Sequence, residues 1–271
     1  MCVLIEHSNL AKYCSDTVKI GLVLSGGGAR GIAHLGMLRA MEEHGLKFTC
    51  VSGTSVGAII GALYAQGMHP QEILEAILQT RVFRSLRPAW TLRGLLSMES
   101  LQSLLVPLVP HGTFEGLRLP LTVAATDLEA GKPHYFSHGA LVPALLASSC
   151  VPGMFNPMIL NGTTYVDGGI TDNFPVSAIR SQCDFIVGLH CNPIVRAPQA
   201  RNFRSVLERT LLLAINSNAT VSKAACNMII EPPQLGRFST FELARARELE
   251  TLGYSYAMSF LTSERITALK S

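Results

Sequence analysis

Residues 18–24, apolar but for Lys19 near the start, read as a strand buried on both faces. Ser25-Gly26-Gly27-Gly28-Ala29-Arg30-Gly31 follows as a glycine-rich loop. Leu35, Met37, Leu38 and Met41 then recur at helical spacing across residues 32–44, and Gly45 closes that helix. The same unit comes again at once. Residues 48–51 read as a strand, Gly53-Thr54-Ser55-Val56-Gly57 as a sharp turn, and residues 58–65 as a helix with Gly67 at its C-cap. Residues 184–190 read as another strand, and residues 203–223 as a helix with Val206, Leu207, Leu211 and Ile215 toward the core. Residues 228–230 form a late strand stopped by Pro232 and Pro233, and residues 241–260 a helix interrupted near Gly253. The pattern predicts an α/β fold: a single domain with a mostly parallel sheet between helices. Successive parallel strands joined by right-handed crossovers lie side by side, so the glycine loop and the Ser55 turn belong on one carboxyl edge.

The Ser55 turn carries the first candidate chemistry. A G-x-S-x-G between a strand and a helix is a nucleophile elbow, whose strained backbone lifts the serine hydroxyl clear of the turn. Gly53 and Gly57 are the positions where a Cβ would collide. The amides of Gly26, Gly27 and Gly28, aimed by a helix N-terminus, suit a developing oxyanion, and Arg30 adds positive charge beside them unless it is an ordinary surface arginine. Gly26, Gly28 and Gly31 also match G-x-G-x-x-G, the dinucleotide fingerprint. That alternative needs a carboxylate at the end of the second strand, where Thr49-Cys50-Val51-Ser52-Gly53 offers none.

Ser55 needs a base. Asp167, in Val166-Asp167-Gly168-Gly169, follows an apolar strand and can accept the proton directly if held close and partly desolvated. Asp-Gly is also a common turn dipeptide, and Asp172 and Asn173 read as capping or turn residues. Of the eight histidines only His190 follows Asp167, so a Ser–acid–His triad would have to use it. His34 lies one turn after Arg30 and packs near the loop.

These segments together resemble the patatin-like phospholipases, α/β acyl hydrolases with a Ser–Asp dyad and a three-layer sandwich. Gly26 to Gly31 looks like the family's oxyanion motif, Gly53 to Gly57 like its nucleophile motif, and Asp167-Gly168-Gly169 like its Asp-Gly-Ala/Gly motif. Ala124-Ala125-Thr126-Asp127-Leu128 and Ala147-Ser148-Ser149-Cys150-Val151-Pro152 resemble further blocks, in the right order. The resemblance implies Ser55 as nucleophile, Asp167 as base, the Gly26–Gly28 amides as oxyanion donors, and a lipid or acyl-ester substrate, phospholipid or lysophospholipid. The resemblance runs from about Val18 to about His190, and the chain then reads as an extension (1–17), an acyl-hydrolase core (18–192) and a helical C-terminal part (193–271) packed on the same domain.

Composition narrows the setting. The formal charge of +3 is too slight to argue for nucleic acid, and 48% hydrophobic residues allow a sizeable core. Seven cysteines without metal-ligand spacing fit reduced thiols, and no metal or cofactor is expected. Residues 1–7 break off before a signal-peptide apolar region develops, which points to the cytoplasm. Residues 81–109 interleave Arg81, Arg84, Arg87 and Arg93 with Phe83, Trp90 and leucines. That segment reads either as a lid broken by Pro88, Pro107 and Pro110 or as a surface for peripheral membrane contact.

Overall fold

The computed structural model describes residues 18–79, 98–195, 203–240 and 242–262. The strands are β1 (Ile20–Leu24), β2 (Cys50–Thr54), β3 (Leu121–Asp127), β4 (Lys132–Phe136), β5 (Met158–Leu160), β6 (Thr163–Asp167), β7 (Phe185–Leu189) and β8 (Met228–Ile230). The helices are α1 (Ala33–Glu43), α2 (Val56–Ala65), α3 (Pro70–Gln79), α4 (Met98–Leu108), α5 (Leu141–Ser148), α6 (Phe203–Ala224) and α7 (Ala246–Phe260).

Alternation along the central strands builds three layers. Leu22 and Leu24 of β1 join the larger core, with residues of α1, α2, α3 and α7, whereas Val23 turns to a second core with Phe174 and Ala219 of α6. On β7, Phe185, Val187 and Leu189 face the first core and Ile186 the second. Helices therefore cover both faces, as a buried parallel sheet requires.

The strands run in the order β5-β6-β3-β2-β1-β7-β8, with β4 paired to β3 off that path. β2, β1, β7, β8 and β3 are mutually parallel, while β4 and β6 run antiparallel to β3. The register on β3 positions the site. β4 occupies one edge from Val123 to Asp127, so β2, which pairs up to Ala124, and β6, which pairs from Ala125, share the other edge. The strands approach along that edge from opposite directions and end against each other.

Two expectations need correction. α7 runs through Gly253 without interruption, because a Cβ there would strike the backbone of Ala33, and one at Gly36 would strike Glu250 and Tyr254. The missing side chains let α1 and α7 touch backbone to backbone, with Arg39 stacked 3.7 Å from the Tyr254 ring centroid and 3.0 Å from Glu250. Val206 does not face the core but is 49% exposed, since α6 turns that face outward. In the 81–109 segment, residues 81–97 lie outside the described residues, as does the extension at 1–17. The remainder is α4, which continues through Pro107 to Leu108 and buries Leu105 against the core. Among the described residues no helix is long and apolar enough to cross a membrane.

Candidate active site

β2 ends at Thr54 and α2 begins at Val56, leaving Ser55 alone to turn the chain. Its φ of 53° and ψ of −125° are a conformation that costs a non-glycine residue about 1–3 kcal/mol. A Cβ on Gly53 would sit 2.6 Å from the Gly57 oxygen, and one on Gly57 would strike the carbonyls of Leu24 and Ser25 on the neighbouring β1 edge. Ser55 is the N-cap of α2, yet its hydroxyl makes no capping bond. An N-cap serine ordinarily gives its oxygen to the first helical turn; this one remains available for other work. The Ser55 amide donates to Ser148 Oγ at 2.7 Å, and Ser148 in turn donates to the Ala124 carbonyl at 2.6 Å, which ties the elbow to β3.

Asp167 ends β6 opposite Ala125, one residue beyond the Thr54–Ala124 pair that precedes Ser55. Its carboxylate is buried, accepts the Gly169 amide at 2.8 Å and is reached by the Ser55 hydroxyl. Burial drives its pKa up to about 6, against smaller downward pulls from the Gly169 amide and Ser55. Its backbone is fixed as well. The amide donates to Cys150 O at 2.9 Å, and its carbonyl accepts Thr126 Oγ1 at 2.9 Å.

Both side chains open into a cavity of about 90 Å³, which Gly27 and Gly28 also line. The aliphatic wall opposite is Val151, Pro152 and Ile170 with Leu212 and Ile215 of α6. The glycine loop divides its work. The Gly26 amide donates to the Asn173 carbonyl at 3.2 Å, so it is not open to a ligand, whereas the amides of Gly27 and Gly28 have no partner among the described residues. Gly31 lies against Val56, where any side chain would collide with the start of α2. Gly168 packs equally tightly on Ala124 and Thr54.

Arg30 is neither a surface residue nor part of the cavity wall. It is 6% exposed and its Nε donates to the Phe238 carbonyl at 2.8 Å, while the Ala29 amide donates to Thr240 O at 2.7 Å. The pair fastens the 238–240 segment over the loop.

The two histidines near the loop are structural. His34 Nε2 donates to the Ser25 carbonyl at 2.9 Å, and burial lowers its pKa to about 4, leaving it neutral. His190 is fully buried with Nδ1 2.7 Å from Glu231, which Lys223 also binds at 2.7 Å. Burial lowers its pKa too, against the pull of Glu231. It does not line the cavity, and its ring meets Phe174 edge-on. Asp172 accepts the Tyr135 hydroxyl at 2.7 Å and the Phe174 amide at 3.2 Å, a turn residue as its sequence position indicates. Among the described residues no group of three or more His, Cys, Asp or Glu could hold a metal ion.

Sequence reasoning assigned no role to Asn192, Leu212 or Thr240, all on the cavity wall. Each comes from the chain after β7, where no motif marks it.

A doubly covered, largely parallel sheet with an elbow serine and a buried carboxylate at its carboxyl edge places the molecule among α/β proteins built around a nucleophile elbow. The model of the patatin-like phospholipases matches residues 22–179. The chain belongs to that family. It is 33% identical over 181 residues to an uncharacterized NTE family protein of Mycobacterium tuberculosis, covering 66% of this chain and 50% of that one. It is 26% identical to a lysophospholipase of Pyricularia oryzae, across 96% of this chain but 19% of the relative. The chain thus spans about half or less of the curated relatives it matches here. VipD from Legionella pneumophila shares the fold at a TM-score of 0.61 and 16% identity, over 91% of this chain and 67% of that one.

Proposed function

We propose that the chain is a serine acyl hydrolase that cleaves carboxylic esters of lipids through a Ser55–Asp167 dyad and an acyl-enzyme. One observation carries this reading: a serine hydroxyl unspent on capping faces a buried carboxylate whose burial raises its basicity. Ser55 Oγ attacks the ester carbonyl as its proton passes to Asp167. The tetrahedral oxyanion forms against the Gly27 and Gly28 amides, with the N-terminus of α2 adding its partial positive charge. Collapse expels the alcohol, protonated by Asp167, and leaves the acyl group on Ser55. Water, deprotonated by Asp167, then attacks the acyl-enzyme and releases the fatty acid.

The aliphatic wall of Val151, Ile170, Leu212 and Ile215 favours an acyl chain beside the serine. Phospholipid or lysophospholipid as substrate rests on the family's description and on the name of the Pyricularia oryzae relative. Peripheral contact of residues 81–109 with the membrane, at the cytoplasmic side, is part of the same proposal. It rests on the basic and apolar alternation of that segment. The test is release of fatty acid from lysophosphatidylcholine micelles by purified protein. Wild type should release it and Ser55→Ala should fall to background. A folded wild type without activity on lysophospholipid, phospholipid or simple esters refutes the proposal, as does a Ser55→Ala variant keeping a tenth of the rate.

A further inference from the structure

The loop amides can stabilise an oxyanion only if something fixes the direction in which they point. Three donors converge on the Gly26 carbonyl: Asn192 Nδ2 at 2.5 Å, Cys191 Sγ at 3.3 Å and Asn173 Nδ2 at 3.5 Å. Asn192 makes the shortest of these contacts. A trans peptide is planar and directs its C=O and the following N–H to opposite sides. Holding the Gly26 carbonyl against Asn192 therefore turns the Gly27 N–H the other way. Gly27 presses its back on the same wall, because a Cβ there would strike Cys191 Sγ and lie 2.8 Å from Asn192 Oδ1.

A second observation concerns the other end of the same amide. Asn192 is 1% exposed, and its Oδ1 has no hydrogen-bond partner among the described residues. A buried acceptor left unmatched costs stability, and a leucine in its place would avoid that cost. Against that cost stands the bond to Gly26. The position follows from the topology. β7 is the parallel neighbour of β1, so the residues after Leu189 emerge beside the loop that follows Leu24.

We propose that Asn192 is a positioning residue of the oxyanion site: it clamps the Gly26–Gly27 peptide so that the Gly27 amide faces the carbonyl oxygen of the ester. This rests on the hydrolase reading above and adds to it a residue outside the family motifs. Asn192 touches no reacting atom. Its loss lets the peptide rotate, which weakens binding of the charged tetrahedral state more than of the ground-state ester.

The experiment uses a trifluoromethyl ketone probe that adds to Ser55 as a hemiketal, whose ionisation is followed by fluorine NMR across pH. In wild type the oxyanion site should hold the hemiketal ionised well below its solution range. Asn192→Leu, which removes the clamp and the unmatched acceptor together, should raise that midpoint by about one pH unit or more. It should also lower kcat on a p-nitrophenyl ester by about 10- to 100-fold, with KM within threefold, a loss smaller than that for deleting a donor outright. Asn192→Ser, too short to reach Gly26, is the second variant and should shift the midpoint the same way should the leucine variant fail to fold. Variants whose hemiketal titrates as in wild type, with kcat unchanged, overturn the inference while leaving the dyad standing. A wild type that forms no Ser55 adduct overturns both.

Discussion

Thr54 pairs with Ala124 of β3, and Asp167 pairs with Ala125, the next residue on the same strand. β2 and β6 share one edge of β3 from opposite directions, so the residue after Thr54 and the last residue of β6 meet where the two strands end. The candidate dyad is thus set by sheet register, which is stiffer than a contact between loops.

The first consequence concerns the pH dependence of rate. A base works only when unprotonated, and Asp167 titrates at about 6 in the folded chain. Turnover of a soluble ester should rise with pH through about 6 and level off above it. Asp167→Asn keeps the shape but cannot take the proton, and should lose about 10²–10⁴ in kcat. A pH-rate profile flat from 5 to 8, or an active Asp167→Asn variant, would remove Asp167 from the mechanism.

Stability should move the other way. The folded pKa of about 6 lies above the unfolded value near 3.9, so between these pH values the native state binds more protons than the unfolded chain. Stability is therefore lost as pH rises through that window, by on the order of 3 kcal/mol once the carboxylate is fully charged. Asp167→Asn should melt several degrees above wild type at pH 8, with the gap closing toward pH 4. Calorimetry at both pH values checks this, and an equal or lower melting temperature at pH 8 contradicts it.

His190 serves as a control. It binds Glu231 and packs on Phe174 away from the cavity, so His190→Asn should cost stability but little chemistry. The expected loss is about 1–3 kcal/mol by denaturant unfolding, from disturbing a buried hydrogen bond. Turnover per folded molecule should stay within a few-fold. Complete loss of turnover in a folded variant would revive a histidine triad.

Acyl preference should respond to α6. Ile215 lines the cavity, and its Cδ1 would lie 3.5 Å from a Cβ on Gly169. A space of about 90 Å³ holds only the first few carbons of a chain. Ile215→Ala should raise kcat/KM for longer p-nitrophenyl esters relative to the acetate by about 10-fold, the scale of one or two methylene contacts. An unchanged ratio across acetate, butyrate and octanoate would place the acyl chain elsewhere.

Much of this was legible in the sequence because it is local. The elbow, the glycine loop and the β–loop–α repeat are short-range devices, readable from residues 18–67 alone. The meeting of Ser55 and Asp167 was legible only through motif resemblance, since nothing within β6 announces that it runs antiparallel to β3. Arg30 read either as charge beside the glycine loop or as a surface arginine, and its partner carbonyl, Phe238, lies too far along the chain for sequence to announce it. Gly253 read as a break because propensity penalises glycine in a helix, whereas close packing on α1 requires it. Asn192 was invisible for a similar reason: one asparagine after a strand signals nothing until the neighbouring strand is known.

The most direct test of the proposed nucleophile is covalent capture. The protein is treated with a fluorophosphonate, its intact mass measured, and the adduct mapped by peptide sequencing. The account predicts one equivalent bound, on Ser55, no adduct in Ser55→Ala, and much slower labelling of Asp167→Asn. An adduct on any other residue, or undiminished labelling of folded Ser55→Ala, would contradict it.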